Sequence, residues 1–400
     1  MIHICFALYD KSGHYSKFIG TTMLSIFENT NSKVTIHILH DNTLTDDNRE
    51  KFIQLTKHYN QTVKFYNVEE LCTDRIKKIR ECFPEADESV FSIATFYRLL
   101  IPNTLPSEVK KVIYLDADII VNLDINELWQ IELEDSPLAA GRNIFSLGID
   151  PLKISGLLND GLTKVEDYFN AGVLLMNLKI LRNEEDAILT GIKFIGENPK
   201  YNLGDQDILN YLFSTRYLKL PIKFNRLVKM VRNYGDFTIK DSICHYVAGQ
   251  YSLGFDMNDP FHRLWWSYFI KTPWFGVDTL DEIFKGAADS MLKMSDLPSN
   301  KARVFIIEEE HAYQIEKNFS VRDHEEVVIV DTRNEDELQS LTDFMKSGKG
   351  RKIFFVGIPS IAPKCTETGF VEGKDFFNVS AFHSPLWVNL TSNYRLILSL

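Results

Sequence analysis

Lys111-Val112-Ile113-Tyr114-Leu115-Asp116-Ala117-Asp118-Ile119-Ile120-Val121 is the run that settles which class of fold the chain adopts. Val112 to Leu115 read as a strand buried on both faces, of the kind a parallel sheet covered by helices requires. Two aspartates, one residue apart, follow at once. A lone carboxylate in an apolar core is prohibitively costly, so the pair must lie at or near the edge of the sheet. Carboxylate oxygens held together suit a hard cation such as Mg2+ or Mn2+, and such an ion keeps positions open for diphosphate oxygens. The alternative is a pair of solvated or capping aspartates, and a bare D-x-D does not choose between the two.

Towards the N-terminus the pattern is that of parallel α/β winding. Strands are expected over Ile2 to Leu8, Val34 to Leu39 and Val63 to Tyr66, with helices around Phe18 to Phe27, Asp46 to His58 and Ser92 to Leu100. This is a Rossmann-like rhythm. The first two strands run into Asp10 and Asp41, and in open α/β sheets ligands sit outside the carboxyl ends of the strands. Towards the C-terminus the order is looser, with strands expected at Pro137 to Ala140, Phe169 to Leu178 and Ile243 to Val247, and helices near Ile180 to Ile195 and Asp205 to Phe213. Phe261 to Trp274, with Trp265, Trp266 and Trp274, reads as a closing amphipathic helix whose aromatics cap a core. The periodicity restarts near Asp278. Strands Val304 to Ile307, Val327 to Val330 and Ile353 to Val356 and a helix near Glu335 to Met345 predict a smaller α/β domain over 278–400, after a first domain over 1–277. No Gly-rich phosphate loop follows its strands, so no nucleotide is expected there.

Composition excludes several classes. With 44 Lys+Arg against 55 Asp+Glu the net charge is −11, which disfavours a nucleic-acid partner. The apolar runs stay far below the roughly 20 residues that span a bilayer. Met1-Ile2-His3-Ile4 opens without a basic start or a long apolar stretch, so a cytoplasmic address is expected. Cys5, Cys72, Cys82, Cys244 and Cys365 form no C-x-x-C pair and read as buried free thiols.

Further segments fall in a telling order: Phe91-Ser92-Ile93-Ala94-Thr95-Phe96-Tyr97-Arg98-Leu99, the D-x-D strand, Leu128-Trp129, Phe169-Asn170-Ala171-Gly172-Val173, Asp205-Gln206-Asp207-Ile208-Leu209-Asn210 and Ile243-Cys244-His245-Tyr246. Together they resemble the glycosyltransferases of family 8, which have the GT-A fold and use nucleotide sugars with retention of configuration. The resemblance spans residues 1 to about 274. It implies that Asp116, Asp118 and His245 hold Mn2+, with Mg2+ as a substitute, against the phosphates of UDP. It also implies that Ala7, Leu8 and Tyr9 meet the uracil, that Tyr15 stacks on it or is a plain surface aromatic, and that Ser92, Ala117 and Gly249 complete the donor site. Arg98 ends an apolar helical stretch, so its charge needs a partner: the sugar or phosphate in the family reading, a carboxylate in the plainer one. Asn170 and Ala171 would contact the sugar, Asp205 its hydroxyls, and Gln206 would lie beneath the anomeric carbon.

Two departures from the family pattern stand out. Where it continues H-x-x-G-x-x-K-P-W, this chain reads His245-Tyr246-Val247-Ala248-Gly249-Gln250-Tyr251, with an extra residue and no lysine, so another donor must neutralise the diphosphate. Lys271 is too distant in sequence to be assigned. Asn143 stands where many members carry an aspartate, and it can hydrogen-bond a sugar hydroxyl but cannot act as a base. The implied reaction moves a hexose, galactose ahead of glucose, from a UDP-sugar to a glycan or glycosylated protein. The 278–400 domain resembles more loosely an add-on in bacterial family 8 enzymes that glycosylate serine-rich-repeat adhesins. Two other classes remain: a haloacid-dehalogenase-like phosphatase, in which Asp116 is the nucleophile, and a catalytically silent sugar-binding module. The sequence does not fix the oligomeric state.

Overall fold

The computed structural model describes residues 1–13, 15–84, 86, 92–143, 152, 155–201, 203–247, 259–276, 302–308, 326–331, 334–358, 361–371 and 374–378. The chain divides into two compact units, Met1–Tyr251 with Leu264–Phe275, and Ser252–Arg263 with Gly276–Leu400. In the first, the strands in chain order are β1 (Ile2–Leu8), β2 (Val34–His40), β3 (Thr62–Asn67), β4 (Lys111–Leu115), β5 (Ile119–Asn122), β6 (Leu138–Arg142), β7 (Phe169–Asn177), β8 (Leu218–Leu220), β9 (Arg226–Leu227) and β10 (Ser242–His245). Seven of them form one sheet of order β3-β2-β1-β4-β7-β6-β8, and β5-β10-β9 form a small second sheet.

The winding runs one way from β1 to β3 and resumes on the other side of β1 with β4, which pairs parallel to it. The order therefore reverses at β1/β4, where open α/β sheets leave a crevice for ligands. β7 then lies antiparallel to both β4 and β6. Its amino end, Phe169 to Gly172, is thereby placed beside the carboxyl end of β4, with Leu115 opposite Val173 and Asp116 N–H donating to Gly172 O at 2.8 Å. The parallel winding expected for the N-terminal strands holds for β1 to β4, and the continuous apolar run of β7 marks a buried strand without fixing its direction, so the sheet as a whole is mixed.

Local chemistry explains the elements around this crevice. Every residue of β2 is buried, including His37, whose Nδ1 lies 3.1 Å from Tyr66 OH and whose Nε2 lies 3.0 Å from His3 Nδ1. The helix Asp46–His58 starts at Thr45, whose side chain accepts from Asn48 N–H, carries Asp46 and Asp47 in its first turn and ends with Lys57 and His58, in line with the helix dipole. The helix expected from Ile180 to Ile195 is two pieces, Leu178–Leu181, whose start the Asn177 side chain caps, and Glu185–Gly196. The closing aromatic helix spans Pro260–Phe269. Trp265 packs on Phe18 and Phe269, and Trp274 beyond it donates Nε1–H to Asn48 at 2.8 Å.

The second unit contains β11 (Ala302–Ile307), β12 (Glu326–Ile329), β13 (Lys352–Val356) and β14 (Phe376–Asn378) in a parallel sheet of order β12-β11-β13-β14. Val304, Ile306, Phe354, Val356 and Phe376 form its core with Leu341 and Met345 of the helix Glu335–Gly348. Among the described residues no helix is long and apolar enough to cross a membrane.

Candidate functional site

Three strands bring the D-x-D aspartates to a histidine far along the chain. Asp116 to Asp118 is the crossing between β4 in the large sheet and β5 in the small one. β10 pairs antiparallel with β5, setting His245 opposite Ile119, and Tyr246 N–H donates to Asp118 O at 2.8 Å. His245 Nε2 consequently lies 3.2 Å from Asp118 Oδ1 and 3.8 Å from Asp116 Oδ2. One ligand atom from each of the three residues lies within 4.8 Å of the others. Burial disfavours the imidazolium, but Asp118 and Asp116 outweigh it and hold the His245 pKa above its ordinary value.

The donor set fits a divalent cation. Two hard carboxylates and an imidazole suit Mg2+ or Mn2+, and the His245 ring offers Nε2 to the aspartates while Nδ1 lies 3.0 Å from Asn225 Oδ1, the outer contact typical of a ligating histidine. Space is reserved as well. A Cβ on Gly172 would fall 2.2 Å from His245 Cε1 and 2.7 Å from Asp116 Oδ2, so this position of β7 must lack a side chain for the imidazole and carboxylate to approach.

Arg98 stands behind the aspartates, almost fully buried. Nη2 pairs with Asp116 Oδ1 at 2.9 Å, Nε lies 3.0 Å from both Asp205 Oδ2 and Thr95 O, Nη1 donates to Ala171 O at 2.7 Å, and the guanidinium lies over the Tyr114 ring. Of the two partners weighed for Arg98, the structure supplies the carboxylates. Desolvation works against the guanidinium, but Asp116 and Asp205 more than compensate and raise its pKa. Asp205 is pushed up to about 6 by burial, against the pull of Arg98 and with the push of Asp116.

Asn170 and Gln206 meet on the other side of Gly172. Asn170 Nδ2 and Ala171 N–H both donate to Gln206 Oε1 at 3.1 Å, and Gln206 Nε2 donates to Tyr168 OH at 3.2 Å. Tyr168 OH donates to Asp207 Oδ1 at 2.7 Å, where Ser155 Oγ also donates at 2.8 Å. Burial raises the Asp207 pKa, opposed by those hydroxyls and Leu203 N–H. Asp207 is therefore a buried anchor at the start of the helix Asp205–Phe213, and it fixes the Gln206 side chain through Tyr168.

The remaining residues border the same crevice or fall elsewhere. Leu8 is buried, and the partly buried Ala7 and Tyr9 pack against the core at the carboxyl end of β1. Tyr15, partly exposed, sits at the start of the helix Ser16–Asn29 with its ring edge-on to Phe18. Ser92 precedes the 3-10 turn Ile93–Phe96 that leads into Tyr97–Thr104, and Ala117 is buried between the two aspartates. Asn143 follows β6 with its N–H donating to Tyr168 O at 3.0 Å. Lys271 pairs with Glu28 at 2.8 Å. Gly249 lies outside the described residues. Sequence reasoning missed Tyr114, Tyr168, Ser155 and Asn225. Tyr114, whose OH donates to Asp116 at 2.7 Å, was within the informative run, whereas Asn225 belongs to no motif.

Comparison with known proteins agrees with this geometry. The sequence model of glycosyl transferase family 8 matches residues 5–250. A Haemophilus influenzae protein named only as a glycosyltransferase is 29% identical over 219 residues, 54% of this chain and 62% of the relative. Glycosyltransferase GlyE of Streptococcus pneumoniae serotype 4 is 31% identical over 193 residues, 44% of this chain and 40% of the relative. The chain thus spans less than two thirds of either relative. A solved galactosyltransferase, LgtC, in complex with donor and acceptor sugar analogues superposes with a TM-score of 0.54 at 21% identity, over 69% of this chain and 98% of that one. The chain belongs to glycosyl transferase family 8 and has the GT-A fold, which sets the phosphatase alternative aside.

Proposed function

From that membership we propose that the chain is a divalent-cation-dependent retaining glycosyltransferase that moves a hexose, galactose ahead of glucose, from a UDP-sugar to a hydroxyl of a glycan or glycosylated protein. The observation that carries the proposal is the convergence of Asp116, Asp118 and His245 at the carboxyl end of β4, beside the strand-order reversal at β1/β4. Ala7, Leu8, Tyr9, Tyr15, Ser92, Ala117 and Gly249 would line the nucleotide end, and Asn143, Asn170, Ala171 and Asp205 the sugar end.

Breaking the bond from C1 to the diphosphate leaves negative charge on the phosphates and positive charge on the sugar ring. A bound Mn2+, or Mg2+ in its place, supplies Lewis-acid stabilisation of the first. Asp116, Asp118 and His245 would hold the ion, and Arg98 keeps Asp116 in place from behind. Gln206 carries no charge and is a poor nucleophile, so attack of the acceptor on the leaving-group face, with the departing phosphate taking its proton, is the preferred route to retention. Two donors hold the negative end of the Gln206 amide dipole in one direction, where it can steady the developing cation. The second unit would help to bind a glycosylated protein acceptor such as a serine-rich-repeat adhesin.

A panel of UDP-sugars tested for UDP release with and without Mn2+ examines the reading. UDP released from one or two UDP-hexoses only with the metal is the expected result, and inorganic phosphate release or no turnover would refute it. Removing residues beyond about 278 should lower transfer to protein while leaving UDP-sugar hydrolysis intact, and transfer that survives the deletion would overturn the acceptor role.

A further inference from the structure

Asn225 is 1% exposed and lies between the 3-10 turn Ile222–Phe224 and β9, with no motif around it. Its side chain joins the two halves of the site. Oδ1 lies 3.0 Å from His245 Nδ1, and Nδ2 donates to Asn170 Oδ1 at 2.8 Å. The direction of these bonds follows from the backbone alone. Gly172 N–H, which can only donate, reaches Asn170 Oδ1 at 3.0 Å, and Ala171 N–H reaches Gln206 Oε1 at 3.1 Å. The first contact fixes which end of the Asn170 amide is oxygen, so Nδ2 of Asn170 faces Gln206. An oxygen at Asn170 demands the amide nitrogen of Asn225 opposite it, and Asn225 must then turn its oxygen to His245. Nδ1 of His245 then donates to Asn225, so Nε2 is the nitrogen turned to the side on which Asp116 and Asp118 stand and the one that would meet a bound cation.

We propose that Asn225 is a positioning residue that sets the His245 ring for metal binding and the Asn170–Gln206 pair for the sugar, tying both halves to two adjacent peptide N–H groups of β7. The close approach is built in on the far side too, since a Cβ on Gly141, at the irregularity in β6, would lie 2.9 Å from Asn225 Cβ. This inference rests on the metal-dependent transferase reading above. It adds that metal affinity and turnover are set by one buried amide that touches neither the ion nor the donor sugar.

Two substitutions separate the two arms. Asn225→Leu removes both. Asn225→Asp keeps an acceptor for His245 Nδ1–H but, ionised, offers Asn170 no donor. Mn2+ affinity, measured with UDP from the electron paramagnetic resonance signal of the free ion, is expected to fall about 10- to 100-fold in Asn225→Leu, the usual cost of losing the outer partner of a ligating histidine. Asn225→Asp should bind Mn2+ within about threefold of the unsubstituted chain while its kcat falls about tenfold, the size of effect one lost hydrogen bond gives. A merely structural role would move affinity and kcat together in both variants. Unaltered Mn2+ affinity in Asn225→Leu overturns the proposal, and so does an Asn225→Asp enzyme with unchanged kcat, a test that stands even if the leucine variant does not fold. If the unsubstituted chain itself fails to bind Mn2+, the function proposed above falls instead.

Discussion

Asp10 and Asp41 follow buried strands on one side of the strand-order reversal, as Asp116 and Asp118 do on the other, yet the two pairs are put to different uses. Asp10 is 1% exposed and accepts from Tyr15 N–H, Ser16 Oγ and Asn48 Nδ2. Asp41 accepts from the N–H and hydroxyl of Thr43, with Tyr97 OH at 3.4 Å. Both are knotted into their own turns. Asp116 Oδ2 and Asp118 Oδ1 instead face the Nε2 of a histidine whose other nitrogen is already engaged. The lesson is about donors. A strand-end aspartate whose two oxygens are both taken by neighbouring N–H and hydroxyl groups braces a loop, whereas two aspartates that each keep one oxygen turned towards the same imidazole are built for a cation.

Breaking the second pair should cost activity and not stability. Asp118→Asn is expected to lower metal-dependent UDP release about 1000-fold, or about 4 kcal/mol of transition-state stabilisation, with an unchanged urea midpoint. Activity retained in that variant would place the cation elsewhere. Gly172→Ala leaves every ligand present but fills their space, and should lower UDP release about 100-fold by displacing the imidazole, a loss of about 3 kcal/mol. Equal Mn2+ affinity in this variant and the parent would contradict the packing argument.

The first pair should show the reverse. Asp10→Asn breaks charge-assisted hydrogen bonds in a buried turn, and is expected to cost about 2 kcal/mol in urea unfolding while Mn2+ affinity stays at the parent value. Loss of metal binding without loss of stability would erase the distinction drawn here.

His37, buried in the middle of β2, gives the smallest effect. Burial, then His3 and Lys64, lower its pKa from 6.5 to about 3. The unfolded chain therefore takes up a proton that the folded chain refuses, so stability is full above pH 6.5 and declines as pH falls towards 3. Between pH 6.5 and 5.5 the loss attributable to His37 is about 1 kcal/mol. His37→Phe should flatten that part of the stability profile relative to the parent, and parallel profiles would remove His37 as the cause.

Much of the fold is legible in the sequence where patterns are long. β1 and the helices Asp46–His58 and Asp205–Phe213 have the bounds that the apolar periodicity gives them. β5, β8 and β9 are two to four residues long, too short for any period to register, and the reversed direction of β7 leaves no trace in its composition. The same limit applies to the site. Asp116, Asp118, His245 and Gln206 stand in recognisable motifs, but Asn225 links partners 20 and 55 residues away in sequence by a geometry that exists only once the two sheets have formed. Arg98 reads as a charge in search of a ligand, and its carboxylate partners become visible only when β4 and the helix Asp205–Phe213 meet around it.

The most direct measurement is anomalous scattering at the manganese edge from crystals grown with Mn2+ and UDP. A single strong peak bonded to Asp116, Asp118 and His245 Nε2, with both phosphates of UDP completing the coordination, is the result this structure calls for. A nucleotide seated in the crevice with those three side chains apart and the manganese peak elsewhere would contradict it.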